Sequence, residues 1–142
     1  MVELLNSRNV EYVVVGAHAL AFHGHPRYTG DLDLLVRSSA ENARRLADAL
    51  IEFGFGSSGL TQGNFEKPDQ IIQLGYPPNR IDLLTSISGV SFDEVWGTRE
   101  QSTLDGVPVS YIGKTTFVRN KLASGRTKDA ADVEALGETG TV

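Results

Sequence analysis

The chain has 142 residues, of which 40% are hydrophobic and 22% charged, with a net charge of −5 and no cysteine. These values suit one domain over 1–142 and exclude a disulfide scaffold, while the acidic balance argues against a protein that coats nucleic acid, since neutralising phosphates takes a basic surface. No apolar run of about 18 residues could cross a bilayer, and Met1-Val2-Glu3-Leu4-Leu5-Asn6 lacks the pattern of a secretory signal, so a cytoplasmic protein without a membrane role is expected.

Leu4 to Asn9 reads as a short leading helix, and Glu11-Tyr-Val-Val-Val15 as a β-branched, buried strand. Gly16 and Ala17 stand where that strand enters a helix over Ala17 to His23, which Gly24-His25-Pro26 ends. Asp31 to Val36 is the next strand. Ser38-Ser39-Ala40-Glu41 reads as a capping box opening a helix with Ala43, Leu46, Leu50 and Phe53 on its apolar stripe, and Gly54 to Gly63 as a loop. Ile71 to Leu74 and Arg80 to Leu84 are strands joined by Tyr76-Pro77-Pro78-Asn79 into an antiparallel hairpin. A short helix near Phe92 to Trp96 follows, then a strand at Val107 to Ile112 and helices at about Thr115 to Ala123 and Lys128 to Leu136, parted at Gly125. This order predicts an α+β fold, an α/β sandwich with a mixed central sheet of about five strands flanked by helices.

Asp31 and Asp33 are two apart on a predicted strand, so both carboxylates point to one face while Leu32 and Leu34 point to the other. Aspartate is depleted in strands, and like charges side by side repel unless a cation offsets them. Magnesium suits such a place, because it binds through one or two carboxylates plus substrate phosphates and water. Asp82, in Arg80-Ile-Asp-Leu-Leu84, is flanked by apolar residues and needs a partner. If its strand lies beside that of Asp31 and Asp33, the three carboxylates could hold two cations about 3.5–4 Å apart, and Asp82 could accept the proton of an attacking hydroxyl. The plainer readings are two solvent-facing aspartates on an amphipathic strand, and an ion pair of Asp82 with Arg80 or Arg27. Gly16-Ala17 offers backbone N–H groups to an anion, or simply a tight turn. His18, His23 and His25 lack the spacing and thiolate partners of a zinc site and read as packing or capping residues. Lys121 and Lys128 fit either a substrate contact or a solvated helix face.

In order, Val15-Gly16-Ala17, thirteen intervening residues, Asp31-Leu32-Asp33-Leu34 and a later Ile81-Asp82-Leu83 resemble the pattern of the nucleotidyltransferase superfamily that includes DNA polymerase beta. Arg27-Tyr28-Thr29 ahead of the aspartate pair, and Lys121 to Asp129 with Asp132, are similar to small prokaryotic nucleotidyltransferases, among them relatives of the AbiEii-type toxins. The resemblance implies a nucleotidyltransferase-like fold and Mg2+-dependent transfer of a nucleoside monophosphate from a nucleoside triphosphate such as ATP to a hydroxyl. It implies Asp31, Asp33 and Asp82 as catalytic metal ligands for two Mg2+ ions, with Mn2+ a substitute. Gly16, Ala17, Arg27, Lys121 and Lys128 would contact the nucleotide. The acceptor would be a small molecule such as an aminoglycoside, a protein side chain as in toxin–antitoxin pairs, or an RNA end, with a homodimer or partner chain supplying its surface. The alternative is a catalytically inactive nucleotide- or partner-binding module, such as an antitoxin component. Ala17 departs from the Gly or Ser of the pattern, keeping the backbone N–H but lacking a hydroxyl.

Overall fold

In the computed structural model, which describes residues 1–24, 31–56, 59–76 and 79–124, the β-branched run Tyr12–Val15 forms strand β1, buried along its whole length. A strand buried on both sides must lie inside a sheet covered by other layers. On one side β1 pairs antiparallel with β2 (Leu32–Val36), and on the other it pairs parallel with β6 (Val107–Tyr111). Two further strands, β3 (Ile71–Leu74) and β4 (Ile81–Leu84), form the expected antiparallel pair, and β4 lies parallel to β2. With β5 (Glu100–Leu104) on β6, the mixed sheet runs β3-β4-β2-β1-β6-β5.

The helices are α1 (Val2–Ser7), α2 (Gly16–Phe22), α3 (Ala40–Leu50), α4 (Gln62–Glu66), α5 (Phe92–Gly97) and α6 (Lys114–Ser124). Leu5, Leu20, Leu46, Phe65, Val95 and Phe117 bring them onto the core with the inner residues of the sheet, among them Leu34, Leu35 and Leu83. None of the helices among the described residues is long and apolar enough to cross a membrane.

The described sheet has six strands where the sequence predicts about five. The unforeseen strand, β5, is a polar edge strand, Glu-Gln-Ser-Thr-Leu, whose first four residues are exposed, so no hydrophobic period marks it. Its signal was the turn. Asp105 and Gly106 both take positive φ, at +51° and +81°, the two-residue geometry that joins tight hairpins. The expected loop from Gly54 to Gly63 also carries the start of α4, where the Asn64 side chain accepts from the Thr61 backbone N–H at 2.7 Å.

The capping of α3 starts one residue later than the sequence suggests. Ser39 is the cap, accepting from the backbone N–H of Asn42 at 3.3 Å. The Asn42 side chain does not reach back to the cap but turns inward. Only 2% exposed, it accepts from the backbone N–H of Glu11 at 2.7 Å and donates to the carbonyls of Glu11 and Arg37 at 3.0 and 2.8 Å. One amide thus ties the entry of β1 to the exit of β2. Phe53, expected on the apolar stripe, is 48% exposed and stacks on Phe55, because helical backbone breaks at Gly54, where φ is +115°. The helix expected over Lys128 to Leu136 lies outside the described residues.

Candidate active site

Strand pairing gathers the acidic residues. Asp33 lies opposite Val15 across the β1 pairing and opposite Asp82 across the β4 pairing. Residues directly paired in neighbouring strands share a face, so the carboxylates of Asp33 and Asp82 sit side by side, close enough to hydrogen-bond. Asp31, just before β2, belongs to the same face as Asp33 by strand alternation. Asp82 is 8% exposed, and Asp31 and Asp33 are half-buried.

Burial, then the negative charge of Asp82 and, less strongly, of Asp31, push Asp33 up to a pKa of about 6, while Lys121 pulls it back down. Desolvation and crowding of like charge act together here. Asp82 is compensated differently. Arg80 Nε lies 2.9 Å from its Oδ1 and Nη2 lies 3.2 Å from its Oδ2, a two-point fork, and the same Nη2 is 3.3 Å from Oδ2 of Asp31. The ion pair of Asp82 with Arg80 and the clustering of Asp82 with Asp33 therefore coexist.

Gly16 begins α2 in the left-handed conformation, φ +70°, directly beside Asp33. A β-carbon there would stand 2.2 Å from Asp33 Oδ2, so glycine is needed both for the turn and for the space. No side chain caps α2, and Ala17 continues its first turn. His18 is half-buried on α2. His23, whose side chain is 8% exposed, fastens the end of that helix with Nε2 2.8 Å from the Ile112 carbonyl and 3.6 Å from a Glu100 carboxylate oxygen. It is a packing residue.

Lys121 reaches the cluster from α6. It is 8% exposed, its Nζ lies 5.3 Å from the centre of the Phe117 ring, and its charge acts on Asp33. The helix is held by the segment after β4. Asn120 donates to the Ser88 carbonyl at 2.9 Å and Arg119 to the Gly89 carbonyl at 3.4 Å. Gly89, φ +79°, lets the two backbones meet: a β-carbon there would lie 2.5 Å from Ala123 Cβ and 3.0 Å from the Arg119 carbonyl oxygen. Between these parts is a cavity of about 420 Å³ lined by Gly16, Asp33, Ile87, Ser88, Asn120 and Lys121 among others. A larger one, about 540 Å³, lies by Tyr12, Trp96 and Pro108, away from the carboxylates.

Of the residues singled out from sequence, the fold brings together Gly16, Asp31, Asp33, Asp82 and Lys121, with Ala17 next along the helix. Arg27 and Lys128 lie outside the described residues. Among the described residues no three His, Cys, Asp or Glu side chains are gathered closely enough to hold a metal ion as they stand. The donor set nevertheless fits a hard cation. All donors are carboxylate oxygens, and a cation, the Arg80 guanidinium, already sits between two of the acids. Arg80 is the residue that sequence reasoning undervalued. Its position two residues before Asp82, at the entry to β4, puts both side chains on the same face and was the available signal.

No protein-family profile matches the chain, and no curated protein matches its sequence. Solved structures do match. A proposed nucleotidyltransferase from Thermotoga maritima superposes with a TM-score of 0.61 at 16% identity, over 94% of this chain and 86% of that one. An antigenic nucleotidyltransferase-like protein from Paracoccidioides brasiliensis superposes with a TM-score of 0.55 at 22% identity, over 95% of this chain and 69% of that one. The α+β arrangement described above is thus a nucleotidyltransferase-like fold.

Proposed function

We propose that the protein is a metal-dependent nucleotidyltransferase that moves a nucleoside monophosphate from a nucleoside triphosphate to a hydroxyl acceptor. One observation carries this reading: Asp33 and Asp82 are registered side by side on parallel strands with the Gly16 turn closed against Asp33. A strand end that brings two acids against a left-handed glycine turn matches what phosphoryl transfer needs, an oxygen-lined cation site beside backbone that an anion can approach.

In this scheme Asp33 and Asp82, joined by Asp31, hold Mg2+ or Mn2+. The bound ion supplies Lewis acidity to the phosphate being attacked and offsets its charge. The backbone at Gly16 and Ala17 lies along the phosphates, and Lys121 faces them from α6 as a point charge. The acid pair also serves the proton. The attacking hydroxyl would lose its proton to Asp82, which stands beside Asp33 in the strand pairing. The leaving group is pyrophosphate, and Arg27 and Lys128 are further candidates for its charge.

The acceptor classes to test are aminoglycosides, RNA ends and protein side chains, including the product of the neighbouring gene. Incubation with labelled ATP, CTP, GTP and UTP, Mg2+ or Mn2+ and these acceptors should give label transfer that Asp33→Asn abolishes. Nucleotide binding without transfer to any acceptor would instead support a catalytically inactive binding module. Two observations favour that second reading: Ala17 supplies no hydroxyl, and Arg80 already forks onto both oxygens of Asp82.

A further inference from the structure

Arg80 holds carboxylate oxygens that a metal ion on Asp82 would share. Its guanidinium takes both oxygens of Asp82, at 2.9 and 3.2 Å, and reaches Asp31 Oδ2 at 3.3 Å. A planar fork on a carboxylate is a strong, directional, charge-assisted contact. The fork takes one lone pair on each oxygen and sets a positive charge against the carboxylate, so an ion settling on Asp82 has to compete with that charge while the fork remains closed. The head of Arg80 is the charge that such an ion has to displace.

The structure lets it leave without disturbing the sheet. The Arg80 backbone is pinned, its carbonyl accepting from the Leu32 N–H at 3.0 Å. Its side chain is 27% exposed against 12% for that of Asp82, so the guanidinium is the more open of the two to solvent. A metal ion arriving alone would trade one cation for another at Asp82 and leave Arg80 without its carboxylates. A metal ion arriving with a polyphosphate brings a cation for the acids and an anion for the arginine, and no charge is stranded.

We propose that Arg80 is a displaceable internal cation that guards Asp82 and makes divalent-metal binding depend on the presence of the nucleotide. The proposal rests on the metal-holding role of Asp33 and Asp82 given above, and it adds a coupling between two ligands that those acids alone would not produce. By linkage, the nucleotide tightens metal binding by the same factor as the metal tightens nucleotide binding. In the absence of either, the arginine offsets part of the charge of the acid cluster and covers Asp82.

The test is Mn2+ affinity, measured by calorimetry and by the paramagnetic resonance signal of free Mn2+, for the wild type, Arg80→Gln and Arg80→Lys, with and without a non-hydrolysable ATP analogue. Asp82→Asn serves as the control. Without nucleotide, Arg80→Gln should bind Mn2+ about tenfold more tightly than the wild type, because no internal cation competes. The analogue should strengthen Mn2+ binding clearly more in the wild type than in the variant. Mn2+ should also raise the thermal midpoint of Arg80→Gln more than that of the wild type. If Arg80→Gln does not fold, Arg80→Lys, which keeps the charge but loses the fork, should show the same changes in smaller measure. Equal or weaker Mn2+ binding in the arginine variants, with Asp82→Asn still abolishing it, would overturn the guard and leave the metal site standing. Mn2+ binding that is absent from every form, or indifferent to Asp82→Asn, would overturn both.

Discussion

The α-carbon of Gly16 and the carboxylate of Asp33 are so close that a methyl group on the glycine would lie 2.2 Å from Oδ2. Gly16→Ala must therefore either twist the start of α2 out of its left-handed conformation or push Asp33 from its place beside Asp82. Alanine at positive φ costs about 1–2 kcal/mol, and the clash adds to it, so a total loss of about 2–4 kcal/mol is expected in denaturant unfolding. Nucleotidyl transfer, if present in the wild type, should fall by at least about 100-fold, since small misplacements of reacting groups have such effects.

Asp33 makes the metal-free protein pH-sensitive in a definite direction. Its folded pKa of about 6 lies above the ordinary aspartate value of 3.8, so the folded state binds the proton more tightly than the unfolded chain. The stability gained from that proton is fully present below the unfolded value and is lost as the pH rises through about 6. Asp33→Asn should thus be more stable than the wild type at pH 7–8, by on the order of 1–3 kcal/mol, with the difference shrinking toward pH 4. Urea titrations of both proteins from pH 4 to 8 measure this. A wild type that is the more stable of the two at pH 8 without metal would contradict the burial and charge crowding described at Asp33.

Gly89 sets the last described helix. Its backbone meets α6 where a β-carbon would lie 2.5 Å from Ala123 Cβ, so Gly89→Ala should push α6 away and carry Lys121 with it. The expected signs are a loss of about 2–4 kcal/mol in stability and a rise in the apparent KM for nucleotide of about tenfold or more. Lys121→Met should reproduce the KM effect while keeping most of the stability. It should also raise the Asp33 pKa further, because Lys121 is the charge that lowers it, and carboxyl-carbon NMR of Asp33 across the pH range reads that shift.

Asn42 is a test remote from chemistry. Its buried amide makes one accepted and two donated hydrogen bonds with the backbone at Glu11 and Arg37. Asn42→Ala leaves the part-buried Glu11 N–H and Arg37 carbonyl without that partner, while the Glu11 carbonyl keeps the Arg37 N–H at 3.2 Å, and should cost about 1–3 kcal/mol. Calorimetric or denaturant unfolding reads the change, and a loss under about 0.5 kcal/mol would mean that water takes over the amide's role.

The sequence carries the inner strands plainly, because Val13, Val14, Leu34, Leu35 and Leu83 are apolar without interruption and must be buried. It also carries the acid cluster, since Asp31 and Asp33 break a strand that otherwise has no use for charge. Glu100–Leu104 was hidden because an edge strand with solvent on its outer side needs no hydrophobic residue, leaving only the Asp105-Gly106 turn to announce it. Asn42 was hidden because hydropathy scores an asparagine as surface, whereas a fully bonded amide can be core. Arg80 was visible as a partner for Asp82. Its reach to Asp31 depended on strand pairing that no local pattern encodes.

The pairing of β2 with β4 joins segments far apart in the chain, so the acid pair comes into being only when that long loop has closed. Closing so long a loop is costly before its contacts repay it, and if the pairing is completed on the native side of the folding barrier, repulsion between Asp33 and Asp82 is felt mainly after that barrier. Neutralising it with a bound cation should leave the refolding rate nearly unchanged and slow unfolding instead, because interactions absent from the transition state act on the unfolding limb. The acidic cluster would then govern how long the folded molecule lasts, with little influence on how quickly it is made.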